Sequence, residues 1–290
     1  MKKILFLVKQ FPYEHEEVFI NAAEKNNVEL CIAPYEDVTI SFINNHTNVT
    51  IRNYNLSQFN LVFFRSVGMY TEIETLISEY CYSNSIPVVD SVFEHSKPWI
   101  DRKSFEYMRL SKFDLPIIET QFISKKELKN ISEKLQFPII AKTTDGSQGS
   151  GVYLCNSLEE VSKVFDSTQH NFLLLQKYIQ NDGDIRVFVI GTDVIGAIKR
   201  SSSSTEEFKN NISLGGTAEV YTLSDTEKKL ALNAAHALQY EIAGVDLIIE
   251  ENDTVKIMEV NRSPQFAGFM KTTGVNIPEK MIEYLLSKCR

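Results

Sequence analysis

Cysteine is scarce in this sequence of 290 residues, and its four copies form no pattern typical of metal or disulfide chemistry. They lie far apart, at Cys31, Cys81, Cys155 and Cys289, and no C-x-x-C pair occurs. Such spacing indicates reduced thiols in a cytoplasmic protein and argues against a zinc site or a disulfide framework. None of the five histidines is spaced from another as metal ligands are.

Long apolar runs and an excess of basic residues are also missing. No apolar segment approaches the roughly 20 residues that cross a bilayer. The start, MKKILFLVKQ, loses its apolar character at Lys9, which predicts a buried first strand rather than a signal peptide. The 30 basic and 38 acidic side chains leave a net charge of −8, so neither nucleic acid nor a membrane is expected as a partner.

Three widespread motifs are absent as well. No G-x-G-x-x-G follows the first strand, no G-K-[ST] occurs, and no G-x-S-x-G is present. Dinucleotide binding at the first strand, a Walker A phosphate loop and a nucleophile-elbow hydrolase therefore have no support.

What is present begins with alternating strand and helix signals over residues 1–97. The strands are KKILFLV, VELCIA, NLVFFRS and IPVVDS, with helices predicted at 16–25 and 72–82. This order predicts an α/β layer with a parallel sheet. A helix over 98–115 connects it to a second half with α+β character, divided at about residue 175. Three helices there are predicted to begin with capping boxes, at Ser124/Glu127, Ser157/Glu160 and Ser224/Glu227.

One predicted hairpin carries side chains that suit a metal. The stretch VDLIIEENDTVKIMEVNRSP (245–264) reads as two apolar strands, and a four-residue loop at 251–254 pairs Asp246 with Glu259. Alternation then places Asn261 on the same face. Like charges directly opposite one another are destabilising, and a divalent cation such as Mg²⁺, which prefers oxygen ligands, removes the conflict. The alternative is an exposed hairpin end whose acids pair with Lys256 or Arg262.

A lysine and a glycine-serine loop suggest phosphate binding. Lys142 ends an apolar strand, and the residues after it lead through a loop into a second strand, as an antiparallel hairpin. Successive backbone amides of such a loop can surround phosphate oxygens, although a flexible turn explains the composition equally well. The loop residues concerned are Gly146, Ser147, Gly149, Ser150 and Gly151.

Two further groups are ambiguous by themselves. In LLLQKYIQNDGDIRVFVIG (173–191), the strand edge from Gln176 to Ile179 offers backbone groups to a planar base. Asp184 then meets a ribose hydroxyl or pairs with Arg186. Further on, Arg200 ends a strand before a Ser-rich patch with Asn211 and Gly215-Gly216, which suits an anion formed during turnover. The alternatives are an ordinary strand–turn–strand and a surface loop.

Taken in order, these stretches resemble the ATP-grasp superfamily, and most closely its RimK-type carboxylate–amine ligases. The resemblance covers residues 98–290. It is carried by Lys103 after Asp101-Arg102, PIIAKTTDGSQGSGVYL, LQKYIQNDGDIRVFVIG, AIKR…FKNNISLGG, IAGVDL and MEVNRSP…KTTGVNI.

The resemblance implies a role for each site residue. The two lysines would bind the α- and β-phosphates, the glycine-serine loop would close over the triphosphate, and Met258 would pack beneath the adenine. The arginines would face the γ-phosphate and the acyl phosphate made from it. The nucleotide-binding residues implied are Lys103, Lys142, Gly146, Ser147, Gly149, Ser150, Gly151, Gln176, Lys177, Tyr178, Ile179, Asp184 and Met258. The implied Mg²⁺ ligands, with Mn²⁺ as an alternative ion, are Asp246, Glu259 and Asn261. The implied catalytic residues are Arg186, Arg200 and Asn211.

The fold implied is an N-terminal parallel-sheet α/β domain (1–97) followed by an ATP-grasp fold of two α+β subdomains (98–175 and 176–290) whose antiparallel sheets enclose ATP. The activity implied is an ATP- and Mg²⁺-dependent ligase that joins a carboxylate to an amine through an acyl phosphate. Its substrate is an amino acid, a peptide or a protein, and a homo-oligomer is left open. The alternatives are a phosphotransferase acting on a small hydroxyl substrate, a ligase that cyclises ribosomal peptides, and a non-catalytic nucleotide-binding scaffold.

The sequence departs from the glutamate-adding ligases at three places. Gln265-Phe266-Ala267-Gly268 stands where they usually have glycine, leucine, an acidic residue and glycine. Lys177 replaces a common acidic residue, and Ser201 stands where a second arginine is usual. We expect an acceptor pocket that is more apolar and less cationic, so glutamate as the added amino acid does not follow from the resemblance.

Overall fold

The structure is a computed structural model that describes residues 1–44, 46–94, 102–144, 151–201 and 217–289. Its strands are β1 (Lys2–Val8), β2 (Val28–Pro34), β3 (Val38–Ile43), β4 (His46–Ile51), β5 (Tyr54–Asn55), β6 (Leu61–Phe64), β7 (Val88–Val89), β8 (Thr120–Ser124), β9 (Ile139–Lys142), β10 (Val152–Cys155), β11 (Phe172–Lys177), β12 (Asp184–Ile190), β13 (Asp193–Ser201), β14 (Thr217–Val220), β15 (Ile242–Ile249) and β16 (Val255–Asn261). Its α-helices are α1 (Glu16–Lys25), α2 (Thr71–Ser83), α3 (Lys103–Lys112), α4 (Leu128–Ile131), α5 (Leu158–Thr168), α6 (Asp225–Leu238), α7 (Ala267–Thr273) and α8 (Ile277–Lys288).

The first sheet has the order β2-β1-β6-β7, and all of its pairs are parallel. Residues 4–8 of β1 are fully buried, as expected for a parallel sheet that is covered on both faces. The predicted parallel α/β layer is confirmed, and α1 occupies the predicted residues 16–25.

Residues 38–55 form a separate antiparallel sheet, in the order β3-β4-β5, that the sequence analysis missed. Its strands are short or largely exposed, and polar residues such as Thr47 and Asn48 alternate poorly with apolar ones. A weak period-two signal of this kind does not separate a strand from a loop.

The second half contains two antiparallel sheets, with the orders β10-β9-β11-β8 and β14-β13-β12-β15-β16. The predicted β9–β10 hairpin is confirmed, with Lys142 opposite Val152. In the five-stranded sheet, alternate residues of β12 enter two different hydrophobic clusters. Val187 and Val189 pack with α6, whereas Phe188 and Ile190 pack with α7 and α8.

Both of these clusters also contain residues of the first sheet. Leu5 and Leu7 belong to one, and Ile4, Phe6 and Val8 belong to the other. The first sheet and the five-stranded sheet therefore share continuous apolar packing on both faces, which fixes their relative position.

Two buried arginines join the same two sheets through hydrogen bonds. Arg262, just after β16, donates to the carbonyl of Phe64 at 2.6 Å. Arg65, just after β6, donates to the carbonyl of Pro264 at 2.9 Å. This reciprocal exchange holds the segment that follows β16 against the carboxyl end of β6.

The segment that follows α3 covers the edge of β16. Ile257 donates its N–H to the carbonyl of Pro116 at 2.7 Å, and Ile117 forms a parallel bridge with Ile257. The edge strand thus has a hydrogen-bonding partner. Across the ranges that the structure describes, no helix combines the length and the hydropathy needed to cross a bilayer.

The three predicted capping boxes have different outcomes. At α6, Ser224 and Glu227 form the complete reciprocal box. At α5, Ser157 accepts from the N–H of Glu160, but the Glu160 carboxylate turns to the N–H of Asn156. At Ser124 the prediction is wrong, because a 3₁₀ turn begins there without a side-chain cap.

We expect Ser224→Ala to lower the free energy of unfolding by about 1 kcal/mol, because an N-cap hydrogen bond at a packed helix is lost. The measurement is the urea midpoint followed by circular dichroism. Ser124→Ala is the matched control and should leave the midpoint unchanged, since its hydroxyl caps nothing. Equal shifts for the two variants would contradict the capping assignment.

Candidate active site

The β15–β16 hairpin brings the predicted metal ligands together. Asp246 lies opposite Glu259, and Gly244 lies opposite Asn261, so the predicted pairing of the two carboxylates is confirmed. Gly244 leaves room for a neighbour, because a Cβ atom there would lie 3.0 Å from Cδ of Arg186 and 2.9 Å from Cβ of Pro264.

The predicted loop of this hairpin is wrong by one residue. The turn spans 250–254 and is closed by a hydrogen bond from Glu250 N–H to the carbonyl of Thr254, at 2.9 Å. Ile249 therefore lies opposite Val255. A β-bulge farther along restores the pairing of the carboxylates, since Met258 is an extra residue between two paired positions of β16.

Arginines of the neighbouring strands neutralise Asp246. Arg186, opposite it on β12, contacts Asp246 Oδ2 through Nη2 at 2.8 Å. Arg200 of β13 reaches the same oxygen at 3.1 Å. Arg200 also donates through Nε to Asp184 Oδ2 at 3.1 Å. The partner of Asp184 is therefore Arg200, its register neighbour, and not Arg186.

The other carboxylate of the hairpin pairs with a lysine from a different element. Nζ of Lys103, the first residue of α3, lies 2.7 Å from Oε1 of Glu259. The alternative in which these acids pair with Lys256 or Arg262 is thereby contradicted. Arg262 instead donates to the first sheet, and the acids meet cations from inside the fold.

The amide of Asn261 lies between both pairs. In the orientation that satisfies both of its ends, its nitrogen donates to Glu259 Oε1 at 3.2 Å and its oxygen accepts from Arg186 Nη2 at 3.2 Å. Both ends of the amide thus contact the charged cluster, so its oxygen lies among the candidate oxygen ligands.

Lys142 is the most isolated cation of the group. It is 6% exposed, and no carboxylate of the described residues lies within ion-pair distance of its ammonium group. Burial lowers the pKa of Lys142 to about 8, although the nearby Glu259 works in the opposite direction. Burial also disfavours the charged form of Lys103, but Glu259 and Glu106 outweigh it, so the pKa of Lys103 is raised.

The pKa values of the three carboxyl groups depend on the same two opposing effects, burial and neighbouring charges. Burial raises the pKa of Asp184 to about 6, against the effect of Arg200. For Asp246, burial is outweighed by Arg186 and Arg200, and its pKa is lowered. The pKa of Glu259 is lowered for the equivalent reason, the cations being Lys103 and Lys142.

A small apolar cluster adjoins the charged face. Ile118, Ile179 and Ile248 are buried together, and Met258 packs against them. Met258 and Ile179 were predicted to contact adenine, and the structure brings these two residues together. The carbonyl of Ile179 accepts from Asn181 Nδ2 at 2.8 Å.

The remaining predicted nucleotide residues have varied surroundings. Gln176 is 3% exposed, and Tyr178 is half-buried. Lys177 is exposed, its N–H donates to the carbonyl of Glu119 at 3.0 Å, and its ammonium group lies 3.7 Å from Glu250. Because its N–H is already used, only other backbone groups of this edge are available to a base.

The end of the glycine-serine loop is described at Gly151. Its φ is +71°, and a Cβ atom there would lie 2.1 Å from Oγ1 of Thr143, so glycine is required. Gly146, Ser147, Gly149, Ser150 and Asn211 lie outside the described residues, and their predicted roles stay predictions.

Three observations indicate that the site fits a nucleotide and a divalent cation. Oδ1 of Asp184 is buried without a hydrogen-bond partner in the described ranges, so an oxygen acceptor is left for a ligand hydroxyl. Lys142 is a buried cation without an ion-pair partner there. Asp246, Glu259 and Asn261 supply oxygen donors alone, which suits Mg²⁺. No set of three or more His, Cys, Asp or Glu side chains forms a metal cluster within the described ranges.

The expected apolar acceptor pocket is not formed by Phe266. This side chain is 2% exposed and packs against Phe19 of α1 and against His15, which precedes that helix, so it belongs to the core. Gln265 and Ala267, which are both exposed, are the residues of that departure that reach solvent.

Sequence analysis missed Tyr107. Its hydroxyl contacts the carbonyl of Met258 at 2.9 Å. The available signal was its position four residues after Lys103, which places both on one helix face.

The architecture and the site define this protein as one with an ATP-grasp fold. Its structure resembles the ATP-grasp ligase PsnB in complex with a minimal precursor, with a TM-score of 0.76 over 99% of both chains at 16% identity. A second PsnB structure, which contains Mg, ADP and a phosphomimetic variant of that precursor, has a TM-score of 0.76 at 15% identity over 99% of this chain and 98% of the other.

Within that fold class, the chain belongs to the RimK-like ATP-grasp domain family, whose sequence model matches residues 103–285. It is 41% identical over 160 residues to a probable alpha-L-glutamate ligase of Mannheimia succiniciproducens, covering 54% of this chain and 53% of that one. It is 36% identical over 152 residues to the ribosomal protein bS6–L-glutamate ligase of Escherichia fergusonii, covering 51% and 50%. The chain thus spans about half the length of the curated relatives that it matches.

We expect the affinity for ADP to fall as the pH rises from about 7 to about 9, and Lys142→Arg to remove this dependence. Phosphate favours the ammonium form, so above the free-state pKa of about 8 binding must take up a proton, and affinity declines. Guanidinium stays charged throughout this range. Calorimetric titration measures the affinity, and Lys163→Arg is the control that should follow the wild-type curve, because Lys163 is exposed on α5. A flat wild-type profile would remove Lys142 from the phosphate site.

Proposed function

We propose that this protein is an ATP- and Mg²⁺-dependent ligase that joins a carboxylate to an amine through an acyl phosphate. One observation carries the proposal: four cations (Lys103, Lys142, Arg186 and Arg200) surround three carboxylates (Asp184, Asp246 and Glu259) on one face of the five-stranded sheet. These seven side chains sum to one net positive charge, and Glu106 of α3 also acts on both lysines. The charges therefore nearly balance, and the ion pairs among them can be exchanged for contacts with a polyphosphate and a divalent cation.

Each residue then has a defined task. Lys142, which has no ion-pair partner among the described residues, binds a phosphate. Lys103 turns from Glu259 to a phosphate when that carboxylate binds the metal. Asp184 Oδ1 accepts from a ribose hydroxyl, and the Met258 side chain packs against adenine. Bound Mg²⁺, for which Mn²⁺ is an alternative, would neutralise charge on the phosphates that its oxygen ligands Asp246, Glu259 and Asn261 face.

The two arginines act on the group that is transferred. Bidentate contact with Asp246 and the contact with Asp184 orient the guanidinium groups of Arg186 and Arg200, so little reorganisation is needed when charge develops on the phosphoryl oxygens. The substrate carboxylate attacks the γ-phosphorus and ADP leaves. The amine then displaces phosphate from the acyl phosphate, and an amide results.

We propose a peptide or protein as the substrate class, in a cytoplasmic setting. This rests on the relatives named for ribosomal protein bS6 and on the neighbours solved with precursor peptides. Exposed Ala267 stands where an acidic residue is usual in glutamate-adding ligases, so we do not assign glutamate as the added amino acid. A ligase that closes a ring within one peptide uses the same chemistry, with carboxylate and amine in one molecule.

The decisive experiment is a screen for ADP release with amino acids and peptides, singly and in pairs, followed by mass measurement of the product. A ligase needs a carboxylate and an amine and yields a product lighter than its substrates by one water. Cyclisation gives the same loss within a single peptide. ADP release that needs only a hydroxyl compound, with a mass gain of one phosphoryl group, would show a phosphotransferase instead.

We expect Glu259→Gln to fold but to lose Mg²⁺-dependent ADP release by about 10³-fold or more, the scale of removing a charged group from a phosphoryl-transfer site. Glutamine keeps an acceptor oxygen for Lys103, so folding is retained. Glu251→Gln, in the turn of the same hairpin, is the matched control and should match wild type. Unchanged ADP release from Glu259→Gln would disprove the metal assignment.

A further inference from the structure

The hydroxyl of Tyr107 lies between two strands of different sheets. It donates to the carbonyl of Met258 on β16 at 2.9 Å, and it accepts from Nε2 of Gln176 on β11. An amide nitrogen can only donate, so the hydroxyl proton has to point at Met258. The direction of this hydrogen-bond chain is therefore fixed.

A second branch begins at the same amide. Nε2 of Gln176 also donates to Oγ1 of Thr120 at 3.0 Å, and Thr120 donates to the carbonyl of Ile118 at 2.8 Å. Both branches end on backbone carbonyls of the apolar cluster proposed for adenine. With the amide reversed, both hydroxyls would donate to Gln176 and both carbonyls would lose their donors.

Helix α3 contacts two consecutive residues of β16. Lys103 and Tyr107 are four residues apart and share one helix face. Lys103 binds the carboxylate of Glu259, and Tyr107 binds the carbonyl of the preceding residue, Met258. The helix therefore holds the strand at the position of its bulge.

The bulge decides which side chains face the site. Leu247 lies opposite Ile257, so without the extra residue Met258 would lie opposite Asp246, and Glu259 opposite Val245. A slip of one residue turns every following side chain to the other face. Both Glu259 and Asn261 would then leave the face that carries Asp246.

We propose that Tyr107 is a positioning residue for the nucleotide and metal site. Its hydroxyl holds the bulge at Met258 and so keeps Glu259 and Asn261 on the face of Asp246, while Gln176 aligns the four-stranded sheet with that bulge. The identity of the ligands, a nucleotide and a metal ion, rests on the proposed function. The role of Tyr107 at the bulge rests on geometry alone.

The test is Tyr107→Phe, which removes only the hydroxyl. We expect ADP to bind about three- to tenfold more weakly in the presence of Mg²⁺, the scale of one buried hydrogen bond, as measured by calorimetry. Amide hydrogen exchange over residues 255–262 should be faster than in wild type. Tyr221→Phe is the matched control, since its half-buried hydroxyl contacts Glu227 away from this site, and it should change neither measurement.

A second variant tests the direction of the chain. In Gln176→Glu the carboxylate accepts only, so it draws the Tyr107 proton away from Met258 with the tyrosine intact. Faster amide hydrogen exchange over residues 255–262 is again expected. ADP affinity is not used for this variant, because Gln176 is itself proposed to adjoin the nucleotide and its substitution would change that affinity directly. This variant also serves if Tyr107→Phe does not fold.

Wild-type exchange and wild-type Mg²⁺–ADP affinity in Tyr107→Phe would overturn the proposal. Wild-type protein that binds no ADP with Mg²⁺ would count against the proposed function, and the exchange comparison would then still decide whether Tyr107 holds the bulge.

Discussion

Burial of carboxylates among cations that come from separate elements is the interaction on which the site depends. Asp246 and Glu259 lie directly opposite each other on paired strands, an arrangement that is unfavourable without compensation. Arginines of β12 and β13 neutralise one, and the first residue of α3 neutralises the other. For the more deeply buried of the two pairs, Asp246 with Arg186, removing one partner of a buried pair typically costs about 3–5 kcal/mol, since the other charge stays buried. The strands and the helix are therefore tied together by charge as well as by apolar packing.

The remainder of the fold holds this face in place. The five-stranded sheet shares apolar clusters with the first sheet on both sides, and Arg65 and Arg262 cross-link the strand ends. The position of the β15–β16 hairpin therefore depends on contacts from both the first sheet and the five-stranded sheet. The small sheet of β3, β4 and β5 lies outside the charged site and adds no residue to it.

The charge balance connects the structure to the proposed chemistry. The cluster is nearly neutral as it stands, so the protein can fold around it without a ligand. Its internal ion pairs can be exchanged for pairs with phosphates and a metal. Lys103 illustrates the exchange, because one ammonium group can neutralise either Glu259 or a phosphate. The preorganised part of the site is the pair of arginines, which Asp246 and Asp184 hold in place, and such preorganisation is the usual source of electrostatic catalysis.

Local pattern was sufficient for the parallel layer, for helix α1 and for the β9–β10 hairpin, because apolar periodicity and turn residues act over a few neighbours. The predicted pairing of Asp246 with Glu259 holds because the longer turn and the bulge at Met258 offset each other. The sheet of residues 38–55 was not predicted, since exposed strands rich in polar residues show little alternation of apolar and polar side chains. The partner of Asp184, the pairing of Lys103 with Glu259 and the bulge at Met258 depend on contacts between segments up to 156 residues apart. The sequence alone thus specified which charged residues belong to the site and the order in which their motifs follow one another along the chain. Which of these charges form ion pairs depends on the tertiary structure. An ion pair or a β-bulge is stabilised by residues that are distant in sequence, and a short stretch of sequence does not contain them.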